Sequence, residues 1–74
     1  MKIRIGHPAY TGKNAMKWHE SYASALADLL HRGIKMAEAQ RVLSLAKKNV
    51  GAIATADIEF RGTRMFGCEA MFQH

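Results

Sequence analysis

The segment from Gly6 to Asn14 contains the residue types that bind phosphate groups. It lies between a predicted strand and a predicted helix and runs Gly-His-Pro-Ala-Tyr-Thr-Gly-Lys-Asn, which resembles the setting of a phosphate-binding P-loop. Counting back from Gly12 and Lys13, His7 stands where the first glycine is required, and Asn14 replaces the hydroxyl residue that would hold Mg²⁺. Nucleotide hydrolysis is therefore disfavoured. Simple anion binding by Lys13 and the helix N–H groups, or an ordinary glycine-containing loop, both fit.

Four histidines, at positions 7, 19, 31 and 74, raise the question of a metal site. His19 and His31 are twelve residues apart in one predicted helix, so their side chains would differ by about 120° in azimuth and could not bind one ion. The sequence contains no His-x₃-His, His-Glu-x-x-His or paired Cys/His motif. We therefore predict no metal site and no cofactor.

Nucleophilic catalysis needs a nucleophile, a base and a group that orients the base. The lone Cys68 lies in a run of alternating apolar residues and is predicted to be a small buried hydrophobe. Asp57 and Glu59 are predicted to share an open sheet face with basic residues, where they form screening ion pairs. The serines lie on predicted helix surfaces outside any catalytic motif: Ser21, Ser24 and Ser44. The sequence therefore predicts a protein that is not an enzyme.

Basic side chains are the broader chemical signal. Eleven Lys and Arg residues against six Asp and Glu give a formal charge of +5. Such a surface attracts phosphate groups, although lysines near a helix C-terminus also complement the helix dipole. The basic residues are spread over several predicted elements and are not interleaved with aromatic residues as in single-strand binders. Those predicted to contact a partner are Lys13, Arg32, Lys35, Arg41, Lys47, Lys48, Arg61 and Arg64.

The length and composition limit the fold that can position these side chains. A chain of 74 residues forms one domain, residues 1–74, and is too short for a barrel or a full nucleotide-binding fold. Its hydrophobic fraction of 49% and charged fraction of 23% are typical of a globular domain. A single cysteine allows no internal disulfide and fits a reducing compartment. Since no signal segment or long apolar stretch is evident, we expect a cytoplasmic protein.

The first part of the chain predicts a strand followed by a helix. Alternation of charged and β-branched residues predicts a strand over residues 2–6, with its isoleucines facing the core. Apolar residues at three- and four-residue steps, beginning with Trp18, predict a helix over residues 15–32. Asn14 is its predicted N-cap, and Gly33 is the predicted left-handed residue that ends it.

A second helix is predicted over residues 36–49, although Lys35 is a poor N-cap. Its predicted apolar stripe consists of Ala39, Val42, Leu43, Ala46 and Val50. The short connection between the two helices makes them antiparallel neighbours.

The last third of the chain predicts two strands joined by a turn, because apolar residues recur at every second position. Opposed residues in a hairpin share a face, so the loop length decides which residues pair. A two-residue loop, Arg61-Gly62, would place Asp57 opposite Phe66. A three-residue loop, Phe60-Arg61-Gly62, would pair even positions with even ones and form one apolar face. We predict the three-residue loop, with Gly62 as the left-handed residue of a type I turn with a G1 bulge.

The predicted order β-α-α-β-β is an α+β fold, a small antiparallel three-stranded sheet with an αα-hairpin packed on one face. The pattern leaves open where the first strand lies in the sheet. Apolar residues predicted on the face away from the helices are Ile53, Met65 and Met71. Exposed methionines suit a protein interface or a homodimer, whereas scattered surface apolar residues are the ordinary alternative.

A small basic α+β protein without catalytic motifs resembles, in type only, the accessory proteins that phages and mobile elements direct against host machinery, anti-CRISPR proteins among them. This resemblance rests on size and on the lack of catalytic features, and it assigns no residue. It implies a non-catalytic binding protein that docks on a protein or nucleoprotein partner and inhibits or modulates it. The alternative is a direct DNA- or RNA-binding regulator that uses the basic surface residues. No membrane partner is expected.

Overall fold

In the described part of the chain, four antiparallel strands form one sheet and two helices cover one of its faces. The computed structural model describes residues 1–7 and 16–74. The strand order across the sheet is β2-β1-β4-β3. The predicted α+β class is confirmed, whereas the predicted three-stranded sheet is wrong because a further strand joins its edge. In chain order the elements are β1 (Lys2–Gly6), β2 (Met16–His19), α1 (Tyr22–His31), α2 (Met36–Lys48), β3 (Ala54–Phe60) and β4 (Thr63–Gln73).

The core lies between the helices and the sheet. Ile3 and Ile5 of β1 are fully buried, as their alternation with charged residues predicts. They pair with Phe72 and Ala70 of β4, which are also buried. Burial of this apolar surface is the main favourable term that holds helices and sheet together. The helix residues that complete the core are Ala25, Leu29, Ala39, Val42, Leu43 and Ala46.

β2 occupies part of the chain where the sequence predicts a helix over residues 15–32. Residues Met16 to His19 instead pair with β1, and Trp18 stands opposite Arg4. Strand and helix periods cannot be distinguished over so short a run, so tertiary pairing decides the conformation. Trp18, predicted in the buried stripe of that helix, is 49% exposed.

The start of α1 also differs from the prediction. Ser21 is the N-cap, and its hydroxyl accepts a hydrogen bond of 3.1 Å from the backbone N–H of Ser24. Such a bond satisfies one of the N–H groups that the first helical turn leaves unpaired. Asn14, the predicted N-cap, lies outside the described residues.

The end of α1 is as predicted. Gly33 has φ of +93°, the left-handed conformation that only glycine adopts without cost. The N–H of Gly33 donates to the carbonyl of Leu30, and the N–H of Ile34 donates to that of Leu29, each over 3.1 Å. These two bonds form a Schellman motif, which closes the helix and turns the chain towards α2.

α2 confirms the predicted second helix to within one residue. Lys35 is its N-cap and makes no side-chain capping hydrogen bond, as its residue type predicts. Its carbonyl accepts from the N–H of Ala39 over 2.8 Å. The buried stripe contains Val42 and Leu43, whereas Val50, predicted on the same stripe, is exposed beyond the end of the helix.

The β3–β4 hairpin turns on two residues. Phe60 pairs with Thr63, so the loop is Arg61-Gly62 and the predicted three-residue loop with its G1 bulge is wrong. Both loop residues have positive φ, 53° at Arg61 and 78° at Gly62. That combination belongs to a type I′ turn, which matches the twist of the two strands. The sequence prediction assigned the left-handed conformation to the glycine alone.

A bulge at Gly67 changes the pairing along this hairpin. Near the turn Asp57 pairs with Phe66, whereas from Ala56 towards the base of the hairpin even positions pair with even positions. Gly67 stands between the two registers as the extra residue. A Cβ atom there would lie 2.7 Å from Cδ1 of Ile34 and 3.0 Å from the carbonyl oxygen of Ala56, so the position requires glycine.

Two residues of the predicted apolar face are exposed. The change of register places Phe66 opposite Asp57, away from the helices, where it is 40% exposed. Phe60 keeps the face of Ile58, and beside the turn it is 58% exposed. Beyond the bulge Cys68 and Phe72 are buried as predicted. The single apolar face that the sequence predicts is therefore confined to the base of the hairpin.

Candidate functional site

The side chains of β2 alternate between the two faces of the sheet. Lys17 and His19 pair with the buried Ile5 and Ile3, and paired residues share a face. These two side chains therefore lie on the helix side. Trp18, between them, lies on the opposite side of the sheet.

We call the surface away from the helices the open face. Its central row runs from Trp18 on β2 through Arg4 on β1 to Met71 on β4. The Arg4 guanidinium lies 3.9 Å from the carboxylate of Glu69, a separation at which an ion pair of partly exposed groups contributes little. Register and alternation place twelve side chains on this face: Lys2, Arg4, Met16, Trp18, Thr55, Asp57, Glu59, Arg64, Phe66, Glu69, Met71 and Gln73.

The charges of the open face are unevenly distributed. The half formed by β1 and β2 carries Lys2, Arg4, Met16 and Trp18, and we call it the basic half. The acidic side chains of this face stand on β4 and β3. An anion that approaches the sheet is therefore attracted to the β1–β2 side.

Internal ion pairing leaves mainly positive charges without a partner on the described surface. Four of the six acidic residues are held in ion pairs, and only Glu20 and Glu59 have none among the described residues. Six basic residues in the same part of the chain have no acidic partner within ion-pair distance: Lys2, Lys17, Lys35, Lys47, Lys48 and Arg61. Lys13 lies outside the described residues. The unpartnered charge is thus strongly cationic.

A hydrogen-bonded chain of side chains holds β2 against α1. His19 contacts the Ser24 hydroxyl through Nδ1 and the Asp28 carboxylate through Nε2, both at 2.7 Å. The other oxygen of Asp28 accepts from Nε of Arg32 at 2.9 Å. The side chains of His19 and Asp28 are only 12% and 10% exposed. Trp18, one residue from His19, is therefore presented from a rigidly held strand.

The ionisation of Asp28 follows from these contacts. Burial alone would raise the pKa of the Asp28 carboxyl, but the hydrogen bonds from His19 and Arg32 outweigh it and hold that pKa below its ordinary value. Ser, His and Asp are the residue types of a hydrolytic triad, and the sequence offers no motif that brings them together. Arg32 shares the carboxylate of Asp28 with His19. The arrangement is therefore well suited to fixing β2 in place.

The opposite edge of the sheet is closed by side chains of α2. The N–H of Asp57 donates to Glu38 over 3.0 Å, and the carbonyl of Thr55 accepts from Arg41 over 3.1 Å. Arg41 also binds Glu38 through two hydrogen bonds of 2.8 and 2.6 Å. Chiefly because of this contact, the pKa of Glu38 falls to about 2. The pair thus takes the place of a neighbouring strand.

The structure brings together three of the predicted basic contact residues. Lys35, Arg41 and Arg64 line one groove of about 320 Å³ between α2 and β3. In that groove Arg41 and Arg64 are paired with acidic residues, and Arg64 lies 3.2 Å from Asp57. Their charge is therefore partly neutralised.

The remaining predicted basic residues lie apart from that groove and from one another. Arg61 stands at the hairpin turn with its guanidinium 5.2 Å from the centre of the Phe60 ring. Arg32 binds Asp28 on the helix side. Lys47 and Lys48 belong to the last turn of α2. The predicted basic contact residues therefore do not form one continuous surface.

The three apolar residues predicted to share the open face also separate. Met71 lies there, opposite Arg4. Met65 pairs with Ile58, which packs against the core, so the prediction that Met65 faces away from the helices is wrong. Ile53 precedes β3 and lines a groove beside α2. The exposed residue that the sequence prediction missed is Trp18, and the signal available for it was the strand-like alternation of residues 16–19 before a serine N-cap.

The sequence analysis also made predictions for Cys68, for a metal site and for anion binding by Lys13. Cys68 is buried, and burial raises the pKa of its thiol to about 11, which agrees with its prediction as a small hydrophobe. The described residues include no group of three His, Cys, Asp or Glu side chains placed to hold a metal ion. Most of the segment from Gly6 to Asn14 lies outside the described residues, so the anion-binding prediction for Lys13 stays a prediction.

Neither helix in the described ranges combines the length and the apolar character needed to cross a membrane. Comparison of this chain with models of protein families, with curated proteins and with solved structures gives no match.

Proposed function

We propose that this chain is a non-catalytic binding protein that docks on a protein or nucleoprotein partner through its open face and inhibits or modulates that partner. The observation that carries the proposal is Trp18, a large aromatic side chain 49% exposed on a sheet surface. Tryptophan and arginine are the residue types that dominate binding energy at interfaces. Here Trp18 stands directly opposite Arg4, so both belong to one contact area.

The rigidity of this area supports the same proposal. β2 is held to β1 by the strand ladder and to α1 by the contacts of His19 with Ser24 and Asp28. A side chain that is already positioned loses little freedom when a partner binds, so more of the contact energy appears as affinity. The proposed action is therefore occupation of a partner surface by a preformed one.

The proposal also includes the type of protein and its location in the cell. A small basic binding protein of this kind fits the accessory type that phages and mobile elements use, and the buried lone thiol of Cys68 fits a cytoplasmic location. A second copy of the chain is the competing occupant of the open face.

Direct binding of DNA or RNA is the second candidate function. It is favoured by the excess of unpartnered cations, which include Lys2 on the open face near the exposed Trp18 and Lys17 on the helix side of β2. Phosphate contacts by such cations release counterions, so binding weakens steeply as salt rises. Steep salt dependence with the isolated chain would favour this candidate.

Affinity capture with a matched pair of variants tests the proposed function. The tagged chain is used to retain partners from cells that naturally contain it, before and after nuclease treatment, and mass spectrometry identifies what is retained. We expect Trp18→Ala to lose the specific partner and Phe60→Ala to keep it, because Phe60 is equally aromatic and 58% exposed but lies at the hairpin turn. Retention by both variants would refute docking through the open face.

A further inference from the structure

We infer that the basic half of the open face binds single-stranded nucleic acid, with an unpaired base stacked on Trp18 and the phosphate chain beside Lys2 and Arg4. The inference rests on the proposed function, since it names the component of a nucleoprotein partner that the open face contacts. It places the contact on β1 and β2, away from the basic residues of α2 and of the hairpin turn.

The stacking site is Trp18. Its indole projects from an edge strand and is half exposed, and the neighbour across the strand ladder is Arg4, about 5 Å away between Cβ atoms. Aromatic side chains beside guanidinium groups are the surfaces on which single-strand binders stack bases. A base of any identity has the flat face that such a surface requires, so binding there would tolerate different sequences.

The phosphate contacts are provided by neighbouring cations. Lys2 lies two residues from Arg4 on the same face of β1 and has no acidic partner among the described residues. Lys17, adjacent to Trp18 on β2, also lacks one in the same ranges. Lys17 lies on the helix side, so two cations, Lys2 and Arg4, share the open face with the exposed ring of Trp18, an arrangement complementary to the alternation of base and phosphate in a polynucleotide.

None of the acidic side chains of the open face stands on β1 or β2. Glu69 of β4 lies 3.9 Å from Arg4 and is largely buried, whereas Glu20, two residues after Trp18, is exposed and lies beyond the end of β2. Asp57 stands on β3, two strands from β1, and is bound by Arg64. Duplex DNA would approach the same cations, but its bases are stacked on each other and give Trp18 nothing to stack against. The surface therefore favours single strands over duplexes.

Trp18 is the only tryptophan of the chain, so its fluorescence reports directly on the proposed contact. The isolated chain is titrated with unlabelled oligouridine and oligothymidine of about 12 nucleotides, within the site size of small single-strand binders. We expect saturable quenching by one or both. The ratio of the two affinities reflects the 2′-hydroxyl and the 5-methyl group of the base together, and binding of either oligonucleotide supports the inference.

Variants then separate stacking from charge, with anisotropy of a labelled oligonucleotide as the readout. Trp18→Ala is expected to weaken binding roughly tenfold or more, and Trp18→Phe to retain most of the affinity. Lys2→Ala should reduce the slope of log affinity against log salt by about 0.7. Lys48→Ala, which removes the same charge from an exposed site on α2, should leave that slope unchanged.

Four results would overturn the inference. The first is the absence of both quenching and anisotropy change, and the second is equal binding of duplex with no effect of Trp18→Ala. The third is a salt slope that responds to Lys48→Ala alone. The fourth is self-association in sedimentation measurements that Trp18→Ala abolishes. Trp18-dependent capture of a protein from nuclease-treated lysate, together with no oligonucleotide binding, would remove this inference and leave the proposed function intact.

Discussion

The polar contacts at the two edges of the sheet have opposite directions. At β3, side chains from α2 bind the outward backbone groups of Thr55 and Asp57, which protects an edge strand from pairing with another chain. At β2 the polar contacts run inward, from His19 to α1, and Trp18 on the other side is 49% exposed. The β3 edge is thus closed by side chains of its own chain, whereas the β2 edge leaves an aromatic side chain exposed beside a cation.

Gly67→Val should have the largest effect, because it disrupts the β3 side of this comparison. The added atoms meet Ile34 and the backbone of Ala56 at under or about 3 Å, and overpacking of this kind costs about 2–3 kcal/mol. Urea denaturation should show a lower midpoint with an unchanged slope. An unchanged midpoint would mean that the bulge is more adaptable than the contacts indicate.

Asp28→Asn tests the attachment of β2. It removes the charge that His19 and Arg32 share, and we expect a loss of about 1–2 kcal/mol of unfolding free energy. The matched control is Glu20→Gln, which changes an exposed carboxylate and should have no measurable effect. Equal effects of the two variants would contradict a specific role of Asp28.

The same carboxylate sets a direction for the pH dependence of stability. Because the pKa of Asp28 is lower in the folded chain than its ordinary value of about 3.8, its contribution is complete above that value and is lost as the pH falls below it. Glu38 behaves likewise, with its contribution lost as the pH falls from about 4.5 towards about 2. Denaturation curves at several acidic pH values should therefore converge for the wild type and Glu38→Gln below that range.

Opening the closed edge is expected to change association more than stability. Glu38→Ala combined with Arg41→Ala frees the backbone groups of β3 and should cost about 1 kcal/mol, while sedimentation should reveal concentration-dependent self-association. The control pair Glu20→Ala and Lys48→Ala removes the same charges elsewhere and should stay unassociated. Identical sedimentation of both pairs would show that β3 needs no such protection.

Trp18→Ala should have the smallest effect on stability. The side chain is half exposed, so the change in unfolding free energy should stay within about 0.5 kcal/mol while partner capture is lost. Chemical denaturation and capture measured on the same preparation would test this separation. A large destabilisation would place Trp18 in the packing of the sheet and weaken its assignment as a contact residue.

The sequence was informative where local interactions decide the structure. The strand that carries Ile3 and Ile5, the second helix and the left-handed Gly33 follow from alternation, periodicity and chain-end geometry, and all three are confirmed. Helix ends in particular depend on a few adjacent residues. Such features can be predicted without knowing which strands pair.

The sequence was insufficient where pairing between distant segments decides the structure. β2 has only four residues, and Trp18 fits a helical stripe as well as a strand. The hairpin register depends on a non-glycine left-handed residue, Arg61, and on a bulge at Gly67, of which only an isolated glycine within a strand pattern gave a hint. Because the exposure of Trp18 depends on the first of these pairings, the candidate site could not be located from the sequence.

The bulge at Gly67 has a consequence for insertions and deletions in this chain. Near the turn the paired residue numbers follow one register and near the base another, and the two differ by the single residue Gly67. A chain without Gly67 would join Phe66 to Cys68 in one continuous register, and every other residue of β3 and β4 would keep its present face. The hairpin thus holds one residue more than its pairing requires, and loss of that residue would be the length change this sheet tolerates best.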